Sequence, residues 1–179
     1  MDTGAQNYRR YLDGDQAAFD AIIEELYRPL VFFLRRFCGD METAEDVAMD
    51  VFAELVLHRH RYNFKVSLKT YLFMLGKSRV LNQVRRRRFV SDTPIEEVLL
   101  YRTDGETPEE AQIRTDREKA LHEAMATLPQ EMQTALYLSY FEDMTYEEIA
   151  KVMKKNKKQV DNLLYRGKER LRELLEEWK

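Results

Sequence analysis

Apolar residues recur at spacings of three and four along the first part of the chain, the pattern of helices that bury one face. The first stripe comprises Phe19, Ile22, Ile23, Leu26, Tyr27, Leu30, Phe33 and Phe37. We expect Gly39 to end this helix and Pro29 to kink or divide it, because proline lacks the amide hydrogen and crowds the preceding turn. A second helix is indicated by Ala44, Val47, Ala48, Val51, Phe52 and Leu55.

A third helix is predicted to begin near Ser67, a candidate N-cap, and to continue through Leu68, Tyr71, Leu72 and Leu75. No segment shows a convincing strand-like alternation of apolar and polar residues. The predicted fold class is therefore all-α.

The C-terminal part of the chain carries two signals for the start of a helix. Thr145 and Glu148 have the spacing of a capping box, and Asn156 and Gln159 repeat that logic eleven residues later. An apolar stripe then follows at Val160, Leu163, Leu164, Gly167, Leu171, Leu174, Leu175 and Trp178. A short helix, a tight connection and a longer helix are typical of a helix-turn-helix, with the small Ala150 where the two helices cross.

The segment between these two helical parts differs from both in composition. Residues 91–116 hold two of the four prolines and eight acidic residues against two basic ones. Such a stretch reads as a connector. The predicted organisation is a helical domain at 1–90, an acidic linker at 91–116 and a helix-turn-helix domain at 117–179.

Composition excludes several classes of protein but does not by itself suggest a nucleic-acid binder, since the net charge is -3 and the pI near 5.8. The single cysteine, Cys38, excludes an internal disulfide and a cysteine-based zinc site. His58 and His60 would diverge on a helix, and no catalytic motif is recognisable. No apolar run suits a signal peptide or a membrane span. We expect a cytoplasmic protein that is not an enzyme and has no cofactor or metal.

Positive charge is concentrated at Arg85–Arg88, four consecutive residues that follow the third predicted helix without a helix breaker. They span a full turn and would form a cationic collar, called here the arginine collar. Cations at a helix C-terminus favour its dipole, but that explains only one or two of the four. A grip on phosphates suits the cluster better than capping or a nuclear-import signal.

Aromatic residues accompany this charge, a combination suited to single-stranded nucleic acid, whose bases stack on rings while phosphates meet cations. Tyr62 and Phe64 lie in a predicted loop and are the better candidates for stacking. Tyr71 falls on the apolar stripe and is assigned to the core.

The second helix of the predicted helix-turn-helix presents hydrogen-bonding and cationic side chains near its start. Such groups suit base edges and phosphates of a major groove. Lys151, Lys154 and Lys155 add charge around the preceding turn and predict a salt-sensitive interaction. The competing interpretation is a solvated lysine-rich face on a packing module.

Taken together, these blocks resemble the extracytoplasmic-function sigma factors, the promoter-recognition subunits of bacterial RNA polymerase. DQAAFDAIIEELYRPLVFFLRRFCGD and AEDVAMDVFAELV resemble the polymerase-binding region, and SLKTYLFMLGKSRVLNQVRRRRF resembles the region that recognises the promoter -10 element. The sequence from LPQEMQTALYLSYFEDMTYEEIAKVM to NKKQVDNLLYRGKERL resembles the helix-turn-helix that binds the -35 element.

The resemblance implies core RNA polymerase and promoter DNA as partners, and an anti-sigma factor as a further one. It places polymerase contacts at Asp40, Glu45, Asp46, Asp50, Phe52 and Leu55. It places contacts with the -10 element at Tyr62, Asn63, Phe64, Lys65, Lys69, Lys77, Ser78, Arg79, Asn82, Arg85, Arg86, Arg87 and Arg88. Candidates for the -35 element are Thr145, Lys157, Lys158, Gln159, Asp161, Asn162, Tyr165, Arg166 and Lys168.

The sequence departs from the family pattern at three places. Gly76-Lys77-Ser78 stands where the family often has Ala-Arg-Asn, and Met49-Asp50 where it usually has Gln-Glu. Lys154 and Lys155 replace the glycine and the apolar residue that are common in the turn of the helix-turn-helix.

Two other functions remain compatible with these patterns. One is a self-sufficient helix-turn-helix regulator, which would require a symmetric dimer and palindromic sites. The other is a sigma-like scaffold that binds proteins but does not open promoters.

Overall fold

The computed structural model describes residues 2–90 and 116–176, and every regular element in those residues is an α-helix. The helices are α1 (Thr3–Leu12), α2 (Gln16–Cys38), α3 (Met41–Leu57), α4 (Leu68–Val90), α5 (Asp116–Ala126), α6 (Gln130–Tyr140), α7 (Tyr146–Met153) and α8 (Lys157–Glu176). The chain divides into two compact units, the first holding α1–α4 and the second α5–α8. The predicted all-α class is confirmed, whereas most of the predicted linker lies outside the described residues.

In the first unit, α2 packs against α1, α3 and α4. The predicted stripe forms its core: Ile22, Leu30 and Phe33 are fully buried, and the ring of Phe33 stacks on Phe73 of α4 at 4.7 Å. Gly76 allows α4 to approach α2 closely, because a Cβ there would lie 3.0 Å from a methyl carbon of Leu34.

The helix ends of this unit follow local signals. Gly39 ends α2 in the left-handed conformation, with φ of 81°, as predicted. The hydroxyl of Ser67 accepts a hydrogen bond from the Thr70 amide at 3.1 Å, as expected of an N-cap. Pro29 lies inside α2 without dividing it. The long apolar face of α2 compensates for the one helical hydrogen bond that the proline removes.

Helix α1 was not anticipated from the apolar pattern. Tyr8 is fully buried, and its hydroxyl donates to the carbonyl oxygens of Leu55 and Arg59 at 2.9 and 3.0 Å. The carboxylate of Asp2 accepts a hydrogen bond from the Leu68 amide at 2.8 Å. These contacts fasten α1 to the end of α3 and to the first turn of α4.

In the second unit, α8 packs against α5, α6 and α7. Its apolar stripe buries Val160 and Leu164 against a core that includes Leu136 and Ile149. At Gly167 a Cβ would lie 3.0 Å from Leu136, so this glycine allows the close crossing of α8 and α6.

Candidate nucleic-acid interface

The loop between α3 and α4, residues 58–67, is called here the aromatic loop. Asn63 makes its turn, since the side-chain oxygen accepts a hydrogen bond from the Lys65 amide at 3.1 Å. Phe64 has a positive φ of 59°, a conformation that is costly for a residue with a bulky side chain. The loop therefore holds Phe64 in a strained position that leaves its ring partly exposed, between the exposed Asn63 and Lys65.

The predicted stacking of a base on Tyr62 requires an exposed ring, but the ring is buried. Tyr62 is only 2% exposed, and its hydroxyl donates to the carbonyl oxygen of Val66 at 2.6 Å. Its ring contacts those of Tyr8, Phe64 and Tyr71 at 5.7, 4.6 and 5.1 Å. Burial raises the pKa of Tyr62 to about 12. The ring of Tyr62 therefore forms the core of the loop and is not exposed to an incoming base. Tyr71, assigned to the core, is only half-buried.

The C-terminal half of α4 presents an exposed polar face. Asn82 and Arg86 are exposed on one face of the helix, and the half-buried Ser78 lies one turn before them. Arg85 and Arg87, on either side of Arg86, are also exposed. Lys69, Lys77 and Arg88 are half-buried, and the Lys69 ammonium lies 5.7 Å from the centre of the Phe73 ring. The exposed surface of α4 thus retains three arginines of the collar and one amide side chain.

Glu54 of α3, which no sequence pattern indicated, is bonded to both the aromatic loop and α4. Its side chain is almost fully buried and accepts hydrogen bonds from Arg61 of the aromatic loop and Arg79 of α4. Arg79 was predicted to contact DNA, but its guanidinium instead joins α4 to α3. The sequence pattern does not reveal this role, because the two arginines that donate to Glu54 are 7 and 25 residues away in the chain; His58, four residues away, also lies 3.8 Å from the carboxylate.

The arginine collar is joined to the start of α3. The guanidinium of Arg87 lies 3.7 Å from the carboxylate of Asp40, and both side chains are about half exposed. Asp40 also caps α3, because it accepts a hydrogen bond from the Thr43 amide at 2.7 Å. Asp40, predicted as a polymerase contact, therefore has a structural role of its own.

The packing of α3 buries two of the predicted polymerase contacts. Phe52 and Leu55 are 4% and 2% exposed, because they face the core of the unit, and are not available to a partner. The exposed apolar residues are instead Met49 and Leu57, which are 58% and 75% exposed. Together with Ala53 and Val56 they form what is called here the outer stripe of α3.

Acidic residues border this stripe. Glu45, Asp46 and Asp50 are all exposed, as a role in contacting a partner requires. Burial, together with the negative charges of Glu45 and Asp46, raises the pKa of Tyr27 on the neighbouring α2. The predicted acidic residues are exposed, whereas the predicted apolar residues Phe52 and Leu55 are buried, since only the packing of α3 separates its inner from its outer face.

The two predicted capping boxes of the second unit are present. The Thr145 hydroxyl accepts a hydrogen bond from the Glu148 amide at 3.3 Å, and the Glu148 carboxylate accepts one from the Thr145 amide at 2.9 Å. Asn156 and Gln159 exchange the equivalent bonds at 2.8 and 2.9 Å. Thr145 and Gln159 therefore serve as caps, although their exposed side chains were predicted as DNA contacts.

The turn of the helix-turn-helix keeps its geometry without glycine. Lys154 adopts the left-handed conformation, with φ of 54°, where glycine is usually preferred. The Lys155 ammonium is 2.7 Å from the carboxylate of Glu131 on α6, so this lysine braces the turn. Lys155 was predicted to add charge to the DNA-binding surface, but its ammonium makes this contact within the second unit.

The first turns of α8 present one exposed polar face. Lys158, Asp161, Asn162, Tyr165 and Arg166 follow the spacing of a single helix face and are all exposed. These side chains match the groups that read base edges and phosphates in a major groove.

Two predicted members of that face are engaged elsewhere. Lys157 donates to Glu147 of α7, and this hydrogen bond lowers the pKa of Glu147 and raises that of Lys157. The Lys168 ammonium lies 5.4 Å from the centre of the Tyr140 ring, and its interaction with the Tyr140 side chain raises the pKa of Lys168. Lys168 therefore packs on α6 and not on the exposed face.

The structure adds two observations on other kinds of site. Within residues 2–90 and 116–176, no three metal-ligating side chains come together. In the same residues, no helix has the length and apolar character that crossing a membrane requires.

Comparisons with known proteins agree with this geometry. The model of sigma-70 region 2 matches residues 22–90, and that of sigma-70 region 4 matches residues 118–171. The RNA polymerase sigma-H factor of Pseudomonas aeruginosa is 27% identical, covering 96% of this chain and 93% of that protein. The ECF RNA polymerase sigma factor SigW of Bacillus subtilis is 23% identical, covering 90% and 91%.

Solved structures share the fold. The sigma factor RpoE of Bartonella quintana, crystallised with the anti-sigma factor NepR, aligns with a TM-score of 0.70 at 21% identity, covering 88% of this chain and 96% of that one. CnrH, in complex with the cytosolic domain of CnrY, aligns with a TM-score of 0.62 at 18% identity, covering 97% and 95%. With both regions matched over more than half of its residues, the chain belongs to the sigma-70 family of RNA polymerase sigma factors, in its extracytoplasmic-function group.

Proposed function

We propose that this sigma factor divides promoter recognition between its two units. The first binds core RNA polymerase through the outer stripe of α3 and its acidic border, and holds a separated -10 strand along the aromatic loop and α4. The second places the exposed face of α8 in the major groove of the -35 element. The observation that carries this proposal is the exposure of an apolar, acid-bordered face on α3 in the same unit as a basic, aromatic-lined one.

The chemistry of each surface supports its assignment. An apolar stripe with a polar rim suits a protein interface. A ring beside exposed cations suits an unstacked base and its phosphates. A helix with amide, cationic and aromatic side chains at its N-terminal end suits a major groove.

A tether between the units would let each bind with modest affinity, because one bound unit raises the effective concentration of the other. This is the role we assign to the acidic linker at 91–116. The bias toward acidic residues in the linker also keeps it off the DNA, since it would be repelled by phosphates.

We also propose that the protein acts in the cytoplasm, where polymerase is found, and that an anti-sigma factor restrains it. The support for that partner is the family to which the chain belongs. Binding such a partner would not require a cofactor.

The test is in vitro transcription by purified bacterial core polymerase on a library of promoter fragments, with and without the chain. We expect the chain to direct initiation at fragments sharing two spaced elements, and to bind those fragments weakly without polymerase. Replacing all four residues of Arg85–Arg88 with alanine should reduce promoter opening while retaining polymerase binding.

Other outcomes would support the alternative functions. Tight footprints on palindromic sites without polymerase would indicate a self-sufficient regulator. Polymerase binding with no initiation, unchanged by the arginine substitutions, would indicate a scaffold.

A further inference from the structure

Helix α1 lies beside the aromatic loop but outside the residues matched to region 2, which begin after α1 ends. Its buried Tyr8 is hydrogen-bonded to the end of α3, and its ring contacts that of Phe64 at 6.1 Å. The close approach of Gly4 to Leu68, where a Cβ would lie 3.1 Å from the leucine Cβ, fixes the other end of α1. The side chains of α1 are therefore held in place relative to Phe64.

One of these side chains brings positive charge to the Phe64 ring. The guanidinium carbon of Arg9 lies 4.8 Å from the centre of that ring, and Arg9 is exposed. Among the described residues, no carboxylate lies within ion-pair distance of Arg9. The next residue, Arg10, is different, because its guanidinium is 2.6 Å from the carboxylate of Asp15.

We propose that Arg9 is a further contact for the separated DNA strand, an inference that rests on the proposed stacking of a base on Phe64. In the free protein the guanidinium covers part of the ring. Stacking of a base on an aromatic ring is stronger than an exposed cation–π contact, so an incoming base displaces the guanidinium. Arg9 then donates hydrogen bonds to a phosphate beside that base, and α1 forms one wall of the strand-binding site.

The geometry around Phe64 favours a nucleic-acid strand over other ligands. Lys65 is exposed next to Phe64, and the guanidinium carbon of Arg59 lies 5.1 Å from the centre of the Tyr11 ring, so further cations border the same aromatic group. Aromatic rings bordered by several cations are the recurrent arrangement of single-strand binding sites.

The test measures binding of a single-stranded DNA to the holoenzyme assembled from core polymerase and the full chain. The probe is the strand that the wild-type holoenzyme selects from a randomised pool. The variants are Arg9→Ala, Arg9→Lys, Arg10→Ala as the matched control, and Phe64→Ala, each measured over a series of salt concentrations.

We expect Arg9→Ala to weaken binding about fivefold at low salt and to reduce the slope of log affinity against log salt by about 0.7, the value for one lost phosphate contact to a single strand. Arg9→Lys should restore most of the slope, because it retains the charge. Arg10→Ala should bind as the wild type does.

Each of the other possible results contradicts a particular part of the two proposals. If Phe64→Ala weakens binding but Arg9→Ala does not, the role of Arg9 is wrong and strand binding by the loop stands. If Arg9→Ala weakens binding with an unchanged salt slope, Arg9 merely supports the ring and the proposed phosphate contact is wrong. If neither variant has an effect, the loop does not bind the strand and both proposals fail.

Discussion

The buried carboxylate of Glu54 accepts a hydrogen bond from Arg79, and this contact joins α3 to α4. The helix with the outer stripe is thereby coupled to the helix with the arginine collar. The same carboxylate accepts a hydrogen bond from Arg61, so the aromatic loop is held by the same residue.

Replacing Glu54 with glutamine should destabilise the first unit. The substitution removes the negative charge between two arginines, but both guanidinium groups are partly exposed and can be hydrated. We therefore expect a loss of about 1–2 kcal/mol, less than for a fully buried pair. Hydrogen exchange at the amides of α3 and α4 would measure it. Glu45→Gln on the exposed face of α3 is the control and should change stability little; equal effects of the two variants would contradict a special role for Glu54.

Substitution of Leu57 by aspartate should weaken binding to core polymerase by more than tenfold, because it places a charge in the proposed apolar contact. The fold should be unaffected, since Leu57 is 75% exposed. Affinity would be measured with labelled chain and purified core polymerase. Phe89→Asp, at an exposed apolar residue of α4, is the matched control, and a larger loss for that variant would place the interface elsewhere.

Replacing Arg166 with alanine should weaken binding of the second unit to -35 duplex DNA by about 1–3 kcal/mol if its guanidinium contacts a base, and should relax specificity at one position. Competition between promoter variants by holoenzyme would measure both effects. Arg172 is a suitable control, because it lies further along α8 and bonds to Glu169 within the helix. A uniform loss across all sequences would instead assign Arg166 to a phosphate.

The turn of the helix-turn-helix should be stabilised by Lys154→Gly. Lysine in the left-handed conformation is strained, and glycine adopts it without this cost, so we expect a gain of about 1 kcal/mol. The same change at Lys151, inside α7, should lower stability by about 1 kcal/mol. Thermal unfolding of the two variants should therefore shift in opposite directions, and a parallel decrease would contradict the strain at Lys154.

Alkaline pH should destabilise the first unit. Burial raises the pKa of both Tyr8 and Tyr62 to about 12, above the value of about 10 expected in the unfolded chain. Between these values the folded state binds more protons, so this contribution is complete below about pH 10 and is lost as the pH rises toward 12. Urea unfolding at increasing pH would measure the decline in stability.

Tyr62→Phe should lower stability at neutral pH by about 1 kcal/mol, through the lost hydrogen bond to Val66, and make the alkaline decline shallower. An unchanged decline would show that Tyr62 does not contribute.

Pro29 shows where local propensity is overridden. Of the two expected outcomes, a kink or a division of the helix, division does not occur, because α2 buries Ile22, Leu30 and Phe33 on both sides of the proline in one continuous core. Burial of large side chains outweighs the loss of a single backbone hydrogen bond.

The sequence by itself determined those features that depend on residues close to one another in the chain. The caps at Ser67, Thr145 and Asn156 and the end of α2 at Gly39 follow from dihedral preferences and hydrogen bonds within a few residues. The apolar period then predicts which segments are helical.

Only the tertiary structure decided which side chains remain available to a partner. In the folded chain Phe52 and Tyr62 are buried, whereas Met49 and Leu57 are exposed. Arg79 donates a hydrogen bond to the buried carboxylate of Glu54. These outcomes depend on α1, α2 and α4 packing against residues distant in sequence. A helical period marks an apolar face, but the burial of each side chain and the pairing of each charge are set by helices that meet only in the folded chain.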